Sequence, residues 1–180
     1  KKAGLMTLVG DVLKGLLVVF VANQWFENTM ITALAGLSVF LGHLYSIFLK
    51  FKGGKGVATG LGVLSFAMPL STLCSAGVFA VCLKISGYVS LSSILAAITL
   101  PLFGIFFKTP FSYIYLSTIV ALFTLQRHHD NIVRLNQGTE THFLKKGKGK
   151  WTKTYNSLLI SNFKNINRSG YFFAGTSYIL

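Results

Sequence analysis

The feature that most constrains this chain is a series of apolar stretches with almost no room between them. Residues 4–22 and 29–49 each approach the ~20 residues that a helix needs to cross the hydrocarbon core of a bilayer. Only Asn23-Gln24-Trp25-Phe26-Glu27-Asn28 separates them. So short a link requires an antiparallel helix pair, with Trp25 at the level of the lipid headgroups. Further apolar runs cover 57–67, 70–84, 88–107 and 111–126, with breaks at Pro69, Lys84-Ile85-Ser86-Gly87 and Thr109-Pro110. Charged residues make up 12% of the chain, about half the share of a soluble domain. Too few polar groups exist to clothe such a chain in water. The expected fold class is all-α, a polytopic membrane helix bundle with six helices over these ranges.

The charges also orient the bundle. Lys and Arg total 17 against 4 acids. One basic group is Lys50, Lys52 and Lys55, and another runs from Arg127 through Arg134 to Lys153. Basic loops beside apolar helices face the cytoplasm and attract anionic lipid headgroups. If both groups lie on one side, an even number of crossings separates them. A single helix over 57–84 gives three crossings, whereas a break at Pro69 gives four. The piece before Pro69 is then short or re-entrant, and neighbouring protein has to satisfy its ends.

The same residues exclude other classes. No base-reading or base-stacking module accompanies the basic charge, so nucleic acid is not an expected partner. Cys74 and Cys82 lack metal-ligand spacing and read as small buried hydrophobes; no metal and no cofactor is expected. Residues 145–180 are basic and polar, without a span-length apolar run, and read as a tail outside the domain formed by 1–144.

Chemistry concentrates in two segments. The first is Gly42-His43-Leu44-Tyr45-Ser46, continuing through Lys52-Gly53-Gly54-Lys55-Gly56 to Thr59. Three glycines allow a backbone with positive φ and a nest of N–H groups suited to an anion, opening onto the N-terminus of the next helix. Lys52 and Lys55 add charge and Thr59 a hydroxyl. The segment is not a Walker loop, because Gly56 rather than Ser or Thr follows the lysine. It reads either as a phosphate cradle or as a turn carrying orienting lysines. His43 and Ser46, spaced i, i+3, share a helix face and read as hydrogen-bonding support or as a base and nucleophile.

The second segment is Arg127-His128-His129-Asp130-Asn131 through Arg134 to Glu140. If helical, His128, Asn131 and Arg134 follow one face. A histidine, an amide, an arginine and a carboxylate together bind an anion and move a proton; an ordinary amphipathic helix at the membrane surface has the same pattern. Asp11 and Lys14 lie within the first apolar run at i, i+3. Each charge there costs roughly 2.5–3.5 kcal/mol, and pairing reduces that, so they read as functional support or as a structural pair.

These stretches resemble the PlsY family of bacterial acyl-phosphate:glycerol-3-phosphate acyltransferases. Gly42-His43, Ser46 and Phe51 through Thr59 resemble the family's second motif. His128, Asn131-Ile132, Arg134-Leu135, Gly138 and Glu140 resemble its third, with His129 where many members carry arginine. Asp11-Val12-Leu13-Lys14-Gly15 resembles the start of its second membrane helix. The resemblance covers about 1–144 and implies a seven-helix fold. The family's first helix and first motif then belong upstream of Lys1, and the chain as given is expected to be inactive or nearly so.

The resemblance also implies an activity: transfer of an acyl chain from acyl phosphate to the 1-hydroxyl of glycerol 3-phosphate, giving lysophosphatidic acid and phosphate. It implies substrate binding by His43, Ser46, Lys52, Gly53, Gly54, Lys55, Gly56, Thr59 and Arg134, with His128, Asn131 and Glu140 orienting and activating the hydroxyl. The proton goes to His128 or to the donor phosphate. Partners are acyl phosphate, glycerol 3-phosphate, membrane lipids and the enzyme that forms acyl phosphate, and the setting is the bacterial inner membrane with the active loops cytoplasmic. The rival readings are a small transporter or channel, with Asp11 and Lys14 in its path, and a non-catalytic subunit of a membrane complex.

Overall fold

The computed structural model describes residues 2–46 and 53–143. Lys52 and the tail 145–180 lie outside the described residues. The described chain is all-helical: α1 Lys2–Phe26, α2 Thr29–Leu44, α3 Val57–Ala67, α4 Pro69–Ser86, α5 Val89–Phe106, α6 Phe111–Arg127 and α7 His129–Asn136. The six expected helices are present, and α7 is a short amphipathic addition.

Two boundaries differ from expectation. The first helix runs to Phe26, so the link shrinks to Glu27 and Asn28. The Asn28 side chain accepts from the N–H groups of Met30 and Ile31 at 2.8 and 3.2 Å, an N-cap that fixes where α2 starts. The second helix ends at Leu44 rather than 49. Its last carbonyl has a partner from elsewhere: the Arg127 guanidinium donates to the Leu44 carbonyl at 2.8 Å.

Pro69 divides α3 from α4 as expected. It occupies the first turn of α4, where its missing N–H costs nothing. The Leu64 carbonyl accepts both the Met68 N–H at 2.9 Å and the Thr72 hydroxyl at 2.8 Å, which ties α4 to the end of α3 across the break. At 11 residues α3 is about 16 Å long, half a bilayer core. It sits among α1, α2, α4 and α6 rather than in lipid. At Gly62 a Cβ would strike the Val12 carbonyl, and at Gly15 one would strike the Thr59 carbonyl. These glycines let α1 and α3 touch backbone to backbone, the close approach that small residues permit between membrane helices.

The polarity of the bundle is that of a protein solvated by lipid. Leu73, Phe106 and Phe111 are 69%, 76% and 77% exposed, while Thr32, Ser92 and Ser117 are as buried as Phe40, Val63 and Leu116. In water each such exposed side chain would forgo about 2 kcal/mol of burial; against hydrocarbon it forgoes nothing. Gly4–Phe26, Pro69–Ser86 and Val89–Phe106 are each long and apolar enough to cross a membrane. Cys74 and Cys82 are free and only partly buried, less enclosed than expected.

Successive helices alternate in direction. The ends of α2, α4 and α6 and the starts of α3 and α5 therefore gather at one end of the bundle, together with α7 and residues 137–143. At the other end the Thr29 and Ser112 hydroxyls meet at 3.4 Å.

Candidate functional site

Both chemistry-bearing segments lie at the same end and join there. The Lys55 ammonium donates to Asn131 Oδ1 at 2.6 Å. Asn131 Nδ2 donates to Glu140 Oε1 at 2.6 Å, and Arg134 Nε to Glu140 Oε2 at 2.7 Å. The amide orientation follows from its neighbours: an ammonium only donates and a carboxylate only accepts, so Oδ1 faces Lys55 and Nδ2 faces Glu140. Asn131 and Arg134 stand one turn apart on α7 and grip the two oxygens of one carboxylate.

The electrostatics are consistent with a preset site. Burial pushes the Glu140 carboxyl up, but hydrogen bonds from Asn131, Ser90 and Arg134, with the Arg134 charge, outweigh it and hold the group below the usual carboxylate range. Burial pushes the Lys55 ammonium down, opposed by the charge of Glu140 and assisted by that of Arg134. His128, the cap between α6 and α7, is 2% exposed. Its Nδ1 lies 2.8 Å from the Thr124 carbonyl; a carbonyl only accepts, so Nδ1 carries the proton and Nε2 is the basic nitrogen. Burial lowers its pKa, with Lys55 adding to the effect and the Thr124 carbonyl opposing it.

The glycine loop takes a form that differs from the expected nest. Of its three glycines only Gly56 has positive φ, at 78°, as the N-cap of α3, where glycine offers no side chain to bond the open N–H groups. Gly53 and Gly54 serve a different need. A Cβ on Gly53 would meet the carbonyls of His43 and Leu44, and one on Gly54 would meet the His43 ring. The loop is thus pressed onto the end of α2. Thr59 is fully buried in the next turn, its hydroxyl without a hydrogen-bond partner among the described residues. Ser46 lies past the end of α2, so it does not share a helix face with His43: the helix has already stopped at Leu44.

His43 joins the loop to Asp11 and Lys14. Lys14 Nζ is 3.1 Å from Asp11 Oδ1 and 3.2 Å from His43 Nδ1, and Asp11 Oδ1 is 3.3 Å from the same ring nitrogen. The two histidine contacts require opposite protonation: Nδ1 donates to Asp11 or accepts from Lys14, not both.

The comparisons with known proteins address the same segments. Residues 1–138 match the family profile described as glycerol-3-phosphate acyltransferase. A glycerol-3-phosphate acyltransferase of Geotalea daltonii is 43% identical over 143 residues, 79% of this chain and 74% of that protein. One of Geobacter sulfurreducens is 42% identical over the same shares.

The chain belongs to the glycerol-3-phosphate acyltransferase family.

Two crystal structures of the integral membrane glycerol 3-phosphate acyltransferase PlsY (YgiH) are similar to it at 36% identity and cover 79% of this chain. Its lysophosphatidic acid form has a TM-score of 0.75 over 73% of that protein, and its glycerol 3-phosphate form 0.76 over 72%. The chain is therefore a multi-pass membrane acyltransferase of glycerol 3-phosphate.

Two residues of this end escaped the sequence reading. Arg127 counted only as positive charge; its guanidinium caps α2 and lies 4.7 Å over the Tyr45 ring. Ser90 sits in the first turn of an apolar helix, with nothing in its spacing to mark it, and donates to Glu140 Oε1 at 2.8 Å.

Proposed function

We propose that the acyl donor is acyl phosphate, that the acceptor is the 1-hydroxyl of glycerol 3-phosphate, and that the joined loop and α7 segment hold the acceptor. The observation that carries this reading is the Lys55–Asn131 bond. It puts the cation of the glycine loop beside the groups that would orient a hydroxyl, and the phosphate and 1-hydroxyl of glycerol 3-phosphate are only a few ångströms apart.

In this reading Lys52, Lys55 and Arg134 supply charge to the phosphate. The loop backbone at Gly53, Gly54 and Gly56 lets it approach, with Thr59, His43 and Ser46 in support. Asp11 and Lys14 hold His43. Asn131 and His128 align the hydroxyl, with Glu140 holding Asn131. The hydroxyl oxygen attacks the acyl carbon, and collapse of the tetrahedral oxyanion breaks the bond to phosphate. The departing phosphate takes the proton on one of its own oxygens. Phosphate is a good leaving group, so positioning and charge supply the catalysis without a covalent enzyme intermediate.

The basic site end faces the cytoplasm of a bacterial inner membrane, where an enzyme forming acyl phosphate supplies the donor. The acyltransferase domain is 1–144, with 145–180 outside it.

The test is transfer in vesicles holding the full-length protein and radiolabelled glycerol 3-phosphate. Acyl phosphate is expected to give lysophosphatidic acid and phosphate in equal amounts, with acyl-CoA inert. Transfer from acyl-CoA alone would overturn the donor assignment. Solute flux without transfer would favour a transporter.

A further inference from the structure

Glu140 is held from two directions. Asn131 and Arg134 approach it from α7. From the opposite side, the turn between α4 and α5 meets residues 140–143 at three points. The Ser90 hydroxyl donates to Glu140 Oε1 at 2.8 Å. The Tyr88 and His142 rings pack edge to face with centroids 5.1 Å apart. The Phe143 N–H donates to the Gly87 carbonyl at 2.8 Å. Gly87 closes α4 with φ at 74°, and a Cβ there would strike the His142 ring, so the strap needs glycine for both conformation and space.

Ser90 is the member of this strap that belongs to a membrane-embedded helix and is itself buried. It completes a hydrogen-bonded path of four side chains from four parts of the chain: Lys55 to Asn131, Asn131 to Glu140, Ser90 to Glu140. The path begins on the glycine loop and ends on α5. A carboxylate shared by two donors at one oxygen and a third at the other has one orientation. Removing the Ser90 donor loosens the hold on Oε1, and the Asn131 amide that sets the direction of Lys55 gains freedom with it.

We infer that Ser90 is a positioning residue for acyl transfer, using the α4–α5 turn to fix Glu140 and, through Asn131, to aim the Lys55 ammonium at the acceptor phosphate. The inference rests on the functional reading above. It makes α5 part of the catalytic apparatus.

Ser90→Ala in the full-length protein is expected to raise KM for glycerol 3-phosphate about tenfold, the lower range for a hydrogen bond to a charged group. KM for acyl phosphate should change less than twofold, and Ser90→Thr, which keeps the hydroxyl, should restore the acceptor KM. Phe143→Pro removes the strap's backbone donor at a residue whose side chain is exposed, and should move the acceptor KM the same way by a smaller factor. Amide hydrogen exchange over 138–143 should quicken in Ser90→Ala, and this readout needs no substrate. A wild-type KM in Ser90→Ala with unchanged exchange would overturn the inference. So would a uniform fall of both affinities and Tm that threonine fails to rescue, since that marks a merely structural serine. A wild-type protein that transfers no acyl group would sink the functional reading instead, and the exchange measurement would still decide the strap.

Discussion

Two charged clusters share one end of the bundle, and they are built on opposite plans. In the Lys55–Asn131–Glu140 cluster both atoms of the Asn131 amide and both Glu140 oxygens have partners that fix their roles, at 2.6–2.8 Å. In the Asp11–Lys14–His43 cluster the contacts are looser, at 3.1–3.3 Å, and one ring nitrogen faces a donor and an acceptor that require different protonation. The first cluster joins a loop, α5, α7 and the segment after α7, so it defines the geometry of the site. The second joins α1 to α2 beneath the glycine loop and neutralises charge within the membrane helices. A set of groups that satisfy one another loses a fixed geometry when one member is removed; a set with an unresolved proton tolerates adjustment.

The largest effect should follow from breaking the first cluster at its centre. Glu140→Ala strips the acceptor from Asn131, Arg134 and Ser90 together. The expected cost is about 2–3 kcal/mol of stability, read as a lower Tm in detergent, with a loss of transfer of a hundredfold or more. Acid should weaken this end of the bundle in two stages. His128 has a lowered pKa in the folded protein, so as pH falls below its ordinary value of about 6.5 the unfolded chain takes up the proton more readily and stability declines. Glu140 also has a lowered pKa. Its contribution is full above the ordinary carboxylate value and is lost as pH falls through the lower, folded one. His128→Gln should remove the first stage of a Tm-versus-pH curve and leave the second. The smallest effect belongs to the second cluster: Asp11→Asn frees His43 Nδ1 to accept from Lys14 alone and should cost tenfold or less in kcat/KM. A larger loss there than in Glu140→Ala would invert the comparison.

Much of this was legible in the sequence because lipid imposes a simple rule. Runs of apolar residues gave the six helices, and the two basic groups together with Pro69 gave their alternation. The pairing of Asp11 with Lys14 followed from i, i+3 spacing, and Asn131 with Arg134 shares a helix face for the same reason. What escaped was tertiary. Ser90 looks like any serine in an apolar helix until the chain brings Glu140 to it from 50 residues away. The Gly53 and Gly54 positions read as conformational freedom but serve close approach to α2, which depends on where that helix stops. That stop depends in turn on Arg127, 83 residues further on, so no local signal marked Ser46 as lying past the helix end.

The central claim is that Lys55, held by the α7 cluster, binds the acceptor phosphate. Calorimetric binding of glycerol 3-phosphate to the full-length protein in detergent, wild type against Lys55→Ala, tests it most directly. The expected result is affinity weakened about a hundredfold or more with Tm close to wild type. Unchanged affinity in a folded Lys55→Ala protein would contradict the claim.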